Sequence, residues 1–139
     1  MATIIGNKEQ YSFFYDISGK AMQVHNKFGA GLLESAYEAG LEYLMQKDGM
    51  NVERQVALPI FWDDVQLKQT YRMDMVVNNN IIVELKAVSY VTSEHRTQLW
   101  NYMNLTHMPY GMLINFGSSV YAEWYHRRDA NHIDRIKFE

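Results

Sequence analysis

A chain of 139 residues, 47% apolar and 14% aromatic, is long enough to bury a core and too apolar to stay disordered. It has no cysteine, which excludes disulfides and thiolate metal sites and leaves oxygen and imidazole as ligands. A formal charge of −3 argues against bulk electrostatic attraction to nucleic acid, so any such contact needs a local basic patch.

The first residues, Met1 to Lys8, lack the charged-then-apolar pattern of a leader, and no apolar run approaches a membrane span. A cytoplasmic protein with one domain over residues 1–139 is the expectation. Phe14, Ile17, Ala21, Val24 and Phe28 recur at helical spacing and predict an amphipathic helix from Glu9 to Phe28. His25, one turn from its end, suits a capping place there. Gly29-Ala30-Gly31 breaks the helix.

A second helix runs from about Leu32 to Asp48, with Leu33, Ala36, Tyr37, Leu41, Leu44 and Met45 as apolar positions and Gly49 as its C-cap. Glu34 and Glu38 lie one turn apart on a shared face. Acidic residues in a first turn suit the helix dipole, and Glu38 reads as solvated. Gly40 weakens this helix by about 1 kcal/mol relative to Ala, which points to close packing or a kink.

Val52 to Ile60 alternates as a strand, and Pro59 places it near a sheet edge. Asp63-Asp64 makes a turn into a short strand, Val65 to Leu67. A hairpin follows, Tyr71–Val77 and Ile81–Val88, around Asn78-Asn79-Asn80, residues that tolerate left-handed backbone. Thr92 or Ser93 caps a third helix reaching about Thr106. Its buried side comprises Leu99, Trp100, Met103 and part of Tyr102. Two strands, Tyr110–Phe116 and Val120–His126, flank Gly117-Ser118-Ser119. The polar tail, Arg127 to Glu139, fits an ordered or a frayed end. This order of elements predicts an α/β or α+β domain with a central mixed sheet flanked by helices.

The hairpin carries the chemistry. With the three Asn as its loop, Val77 faces Ile81, Met75 faces Val83, Met73 faces Leu85 and Tyr71 faces Ala87, so one side is apolar throughout. The other side sets Asp74 across from Glu84, with Lys86 two residues on. Like charges so placed are destabilising unless a proton or a cation lies between them. A divalent metal with oxygen ligands would serve, and Asp with Glu-x-Lys suits metal-assisted phosphodiester hydrolysis. Diagonal pairing of these groups with Arg72 on an exposed face is the other reading of the same residues.

Asp74, then Glu84-Leu85-Lys86, resembles the Asp…(Asp/Glu)-x-Lys signature of the PD-(D/E)XK nuclease superfamily, with Met73 where its usual proline stands. Gly31-Leu32-Leu33-Glu34-Ser35-Ala36-Tyr37 resembles, more narrowly, the GxxExxY motif of a small family placed there. Gln98-x-x-x-Tyr102 is similar to a helix motif of the branch containing recombination exonucleases. The likeness runs from about Val24 to Phe116.

It implies a restriction-endonuclease-like fold and a nuclease acting on DNA. Glu34, Asp74, Glu84 and the Leu85 carbonyl would hold Mg²⁺ or Mn²⁺, and Lys86 would serve the attacking water. Gln98 would orient water or phosphate, and Tyr102 would buttress its helix. Arg54, Lys68, Arg72, Arg96, Arg127 and Arg128 are candidate phosphate contacts, with Arg96 and Arg127-Arg128 best placed. Two other readings stand beside this one. The first is a nucleic-acid- or protein-binding module on the same fold without turnover. The second is an interaction protein whose aromatics Trp62, Tyr121, Trp124 and Tyr125 face a partner or a second copy in a homodimer.

Overall fold

The structure, a computed structural model, describes residues 1–138. Along the chain lie β1 (Thr3–Ile5), α1 (Ser12–Phe28), α2 (Glu34–Lys47), β2 (Val52–Trp62), β3 (Val65–Val77) and β4 (Ile81–Lys86). Then come α3 (Ser93–Thr106), β5 (Tyr110–Phe116), β6 (Val120–Asp129) and β7 (His132–Lys137). The strands form one seven-stranded sheet in the order β1-β7-β6-β5-β4-β3-β2. β4 and β5 are parallel, with α3 as their crossover, and β1 joins β7 in parallel. The other neighbours are antiparallel.

Burial on both faces explains why the parallel pair reads as continuous apolar runs, Ile81-Ile82-Val83 and Met112-Leu113-Ile114. On one face, Phe14, Ile17 and Val24 of α1 and Tyr37, Leu41 and Met45 of α2 pack against Met75, Val83 and Leu85. On the other, Leu99, Tyr102 and Met103 of α3 pack against Met73, Val76, Ile82 and Leu113. Each such side chain, fully buried, contributes about 1.5–3 kcal/mol. The expected mixed sheet flanked by helices is therefore present.

The junction of α1 and α2 is built from the glycine–tyrosine motif. Gly31 has φ +94°, a backbone region that only glycine enters without strain. The Tyr37 hydroxyl donates to the Gly29 carbonyl at 2.6 Å and accepts from the Leu32 N–H at 3.1 Å. The Tyr37 ring stacks on Phe116, 4.5 Å away and nearly parallel at 4°. That clamp fixes where α2 starts. A Cβ on Gly40 would meet Val24 and Phe28 at 3.0 Å, so close packing of α1 on α2 accounts for this glycine. His25 Nε2 donates to the Gly117 carbonyl at 2.9 Å and ties α1 to the β5–β6 loop.

Several boundaries differ from expectation. α1 begins at Ser12, and α2 spans Glu34–Lys47. The segment expected as a short strand before the hairpin is one 13-residue strand, because β2 pairs with its polar stretch and holds it extended. β4 stops at Lys86. Beyond it the Val88 backbone bonds to the Asn115 side-chain amide, at 3.0 Å through its N–H and 2.8 Å through its carbonyl. The tail is ordered as the end of β6 and as β7, and β1 was not foreseen; Glu139 lies outside the described residues.

From Phe61 to Arg72 every residue of the β2–β3 ribbon is exposed, so it projects as an arm past the helices. The four aromatics expected on one interaction face are divided. Trp62 and Tyr121 are exposed, Trp124 stacks on Phe14 at 5.7 Å, and Tyr125 is buried in the α3-side core. Among the described residues no helix is long and apolar enough to cross a membrane.

Candidate active site

The hairpin keeps the expected register at Met75 with Val83, Val76 with Ile82 and Val77 with Ile81, but the expected Met73–Leu85 and Tyr71–Ala87 pairs are not formed. The ladder stops there, one step before Asp74 and Glu84. It also lapses on the other side of β3. Arg54 pairs with Met75 and Val56 with Met73, but Gln55, opposite Asp74, takes φ +53° and is unpaired. The phase of the strand changes at this point. Met75 and Val77 face α1 and α2, whereas Met73 faces α3, so the apolar side is not continuous along the hairpin as expected.

Asp74 lies outside both ladders of β3, while Glu84 keeps its pairing with Leu113 of β5, and the two bond through their carboxylates. Glu84 Oε2 accepts the Asp74 N–H at 3.0 Å, and Asp74 Oδ2 accepts the Leu85 N–H at 2.8 Å. Each acid thus replaces a strand hydrogen bond with a side-chain one and is brought against the other. Burial pushes the Glu84 carboxyl up to about 9, and the hydrogen bond and charge of Asp74 push the same way. The positive charge of Lys86 opposes this and is outweighed. Glu84 is nearly fully buried, while Lys86 is half-buried and, among the described residues, in no ion pair.

Two openings flank this part of the sheet, and Asp74 lines one of them. A cleft of about 560 Å³ toward α2 is lined by Leu33, Glu34, Glu38, Gln55, Asp74 and Ala87 among others. A groove of about 640 Å³ on the α3 side is lined by Tyr71, Gln98 and Tyr102 among others. Tyr102 is buried, and its hydroxyl is held above the usual phenol range by burial and by the nearby charges of Glu84 and Asp74. It shares a core cluster with Met73, the neighbour of Asp74, and with Ile82, two residues before Glu84. Gln98 is exposed next to it.

Glu34 is less closely involved. As the first residue of α2 its side chain is exposed at the cleft mouth, with no hydrogen bond among the described residues. No three of the His, Asp and Glu side chains described converge tightly enough to form a ligand cluster on their own. Two of the three expected carboxylates meet, and the third waits at the rim. Glu38, expected to be solvated, is buried: its carboxylate accepts from Arg54 Nε at 3.0 Å and from the Gln55 amide Nε2 at 3.1 Å. Gln55 itself is a site residue that sequence reasoning missed, because its left-handed backbone has no signature in composition or spacing.

The expected phosphate contacts are mostly committed elsewhere. Arg96 holds the buried Glu123 through Nε and Nη2, each at 2.8 Å. Arg128 pairs with Asp134 at 2.6 Å, Arg127 donates to Asn104 at 2.8 Å, and Arg54 pairs with Glu38 and Glu42. Lys68 and Arg72, on the exposed arm, make no ion pair among the described residues.

The donor set fits a hard divalent cation. Its ligating atoms are oxygens, and two acids face each other in a buried place with a charge conflict that such an ion relieves. No curated protein is significantly similar to this sequence. Among solved structures, the crystal structure of SSO0001 matches with a TM-score of 0.46 at 18% identity, covering 78% of this chain and 63% of that one. This chain thus spans less than two thirds of the length of that protein. The family profile of the PD-(D/E)XK nuclease superfamily matches residues 11–128, a span that holds α1 through most of β6 and both acids of the site. On that match, the chain belongs to the PD-(D/E)XK nuclease superfamily.

Proposed function

We propose that the chain is a metal-dependent nuclease that hydrolyses phosphodiester bonds of DNA. The observation that carries this is the Asp74–Glu84 pair, two acids held together where the β3–β4 ladder ends. Asp74, Glu84 and the Leu85 carbonyl would hold Mg²⁺ or Mn²⁺, with Glu34 reaching in from the cleft mouth. When bound, such an ion polarises the phosphate and lowers the pKa of a bound water.

The chain's own groups do the rest. Two residues after Glu84 on the same strand, Lys86 lies on the same side and carries the free positive charge of the site. It orients the attacking water and offsets charge that builds on the phosphoryl oxygens. Gln98 orients water or phosphate from α3, and Tyr102 braces that helix against the acids. The buried wall behind Glu84 keeps bulk water from screening these charges.

The test is cleavage of labelled single- and double-stranded DNA with Mg²⁺ or Mn²⁺ by the wild-type chain and by Lys86→Ala. Metal-dependent products that vanish in the variant support the reading. No products from either protein reject it. One observation favours a second reading, a domain that binds nucleic acid without cutting it: Glu34 stands at the rim instead of among the acids. Calorimetric titration with Mn²⁺ separates the two, since binding that Asp74→Asn abolishes belongs to the nuclease.

A further inference from the structure

We infer that the groove between the β2–β3 arm and α3 takes unpaired nucleobases, so that the strand presented to the carboxylate pair is single-stranded or locally opened. This rests on the nuclease reading and adds the substrate class to it. The groove is bounded by Ile60 and Tyr71 on the arm and by Thr97, Gln98, Asn101 and Leu105 on α3. Tyr102 forms part of its lining and lies within the field of Glu84 and Asp74. The groove thus shares Gln98 and Tyr102 with the proposed reaction centre.

The chemistry of the lining selects the occupant. The lining carries one formal charge, that of Glu94, and no cation that would hold a phosphate. Its polar groups are neutral amides and hydroxyls, able both to donate and to accept. Asn101 is exposed, and its side-chain amide makes no hydrogen bond to the described residues. Tyr71 is 43% exposed, with its ring centroid 5.9 Å from that of Tyr102. A π-face beside free amide groups matches a nucleobase, which offers a flat ring and a hydrogen-bonding edge together. In a duplex the ring faces are stacked and the pairing edges are occupied, so only an unpaired base offers both. The volume, about 640 Å³, is within the range of sites for small organic groups.

The test measures binding without turnover, by fluorescence anisotropy in EDTA. Three probes of equal length are compared: a single-stranded DNA, the blunt duplex of the same sequence, and a strand of abasic sites. Base recognition predicts that the single strand binds about tenfold more tightly than either of the others, the scale of one stacked base. Tyr71→Ala and Asn101→Ala should each remove most of that preference, and Tyr71→Phe should keep it. Both positions are exposed, and unaltered circular dichroism checks the fold. Equal binding of the abasic strand, equal binding of the duplex, or no binding of any probe overturns the inference. The two readings fail separately. Base-dependent binding with no cleavage sinks the nuclease alone, whereas cleavage with base-independent binding sinks this proposal alone.

Discussion

Two glutamates of the same sheet, Glu84 on β4 and Glu123 on β6, are 3% and 1% exposed, yet their surroundings treat them in opposite ways. Burial by itself raises the pKa of both. At Glu123 that effect is overcome by hydrogen bonds from Arg96, Tyr121 and Tyr125 and by the charge of Arg135, which hold the carboxyl down at about 2. At Glu84 the neighbour is another acid, and the carboxyl is pushed up to about 9. A carboxylate kept for stability is surrounded by donors. Glu84 instead faces a second acid, a conflict that a cation would relieve under the proposed function.

The comparison breaks most visibly at Arg96. Arg96→Ala leaves Glu123 buried with its main partner gone and should destabilise the chain by about 3–5 kcal/mol, read by chemical denaturation. Lys86→Ala should instead leave stability within about 0.5 kcal/mol and lower the cleavage rate about 10²–10³-fold in a Mn²⁺ assay. If Lys86→Ala unfolds the chain, the lysine belongs to the structure and the contrast is lost.

Smaller effects sharpen the same contrast. Mn²⁺ at a hundred times its Kd should stabilise the wild-type chain by about 2.7 kcal/mol, seen as a rise in Tm that Asp74→Asn abolishes. Without metal, the two acids give opposite pH dependences. Glu84 is raised from 4.5 to about 9, so its native form holds a proton that the unfolded chain loses; this stability is full below pH 4.5 and fades as pH rises toward 9. Glu123 is lowered from 4.5 to about 2, so its contribution is present above pH 4.5 and fades as pH falls toward 2. Glu84→Gln should flatten the alkaline loss and stabilise the metal-free protein at pH 8 by about 1 kcal/mol, measured by urea titration across pH.

Much of the core site was legible from residues alone. The register that opposes Asp74 and Glu84 follows from a strand period of two and a turn of three Asn, both local properties. The Thr92 cap of α3 was legible for the same reason, and the structure adds its return bond from His95. Glu38 and Arg96 were misread because their partners, Arg54, Gln55 and Glu123, lie 16 to 27 residues away in the chain. No local pattern reports a pairing of that range.

The sequence by itself determined that Asp74 and Glu84 fall opposite one another, since the alternation of β3 and β4 and the turn between them act over a few residues. Tertiary structure decided how the groups meet: β3 leaves β4 to follow β2, Gln55 turns left-handed, and the two acids take over the missing backbone bonds. It also decided that Glu34 stays at the rim and that a groove without lining cations opens beside α3. Those outcomes depend on packing between distant segments, where the free energy of burial and pairing is a property of the whole sheet and of no single stretch.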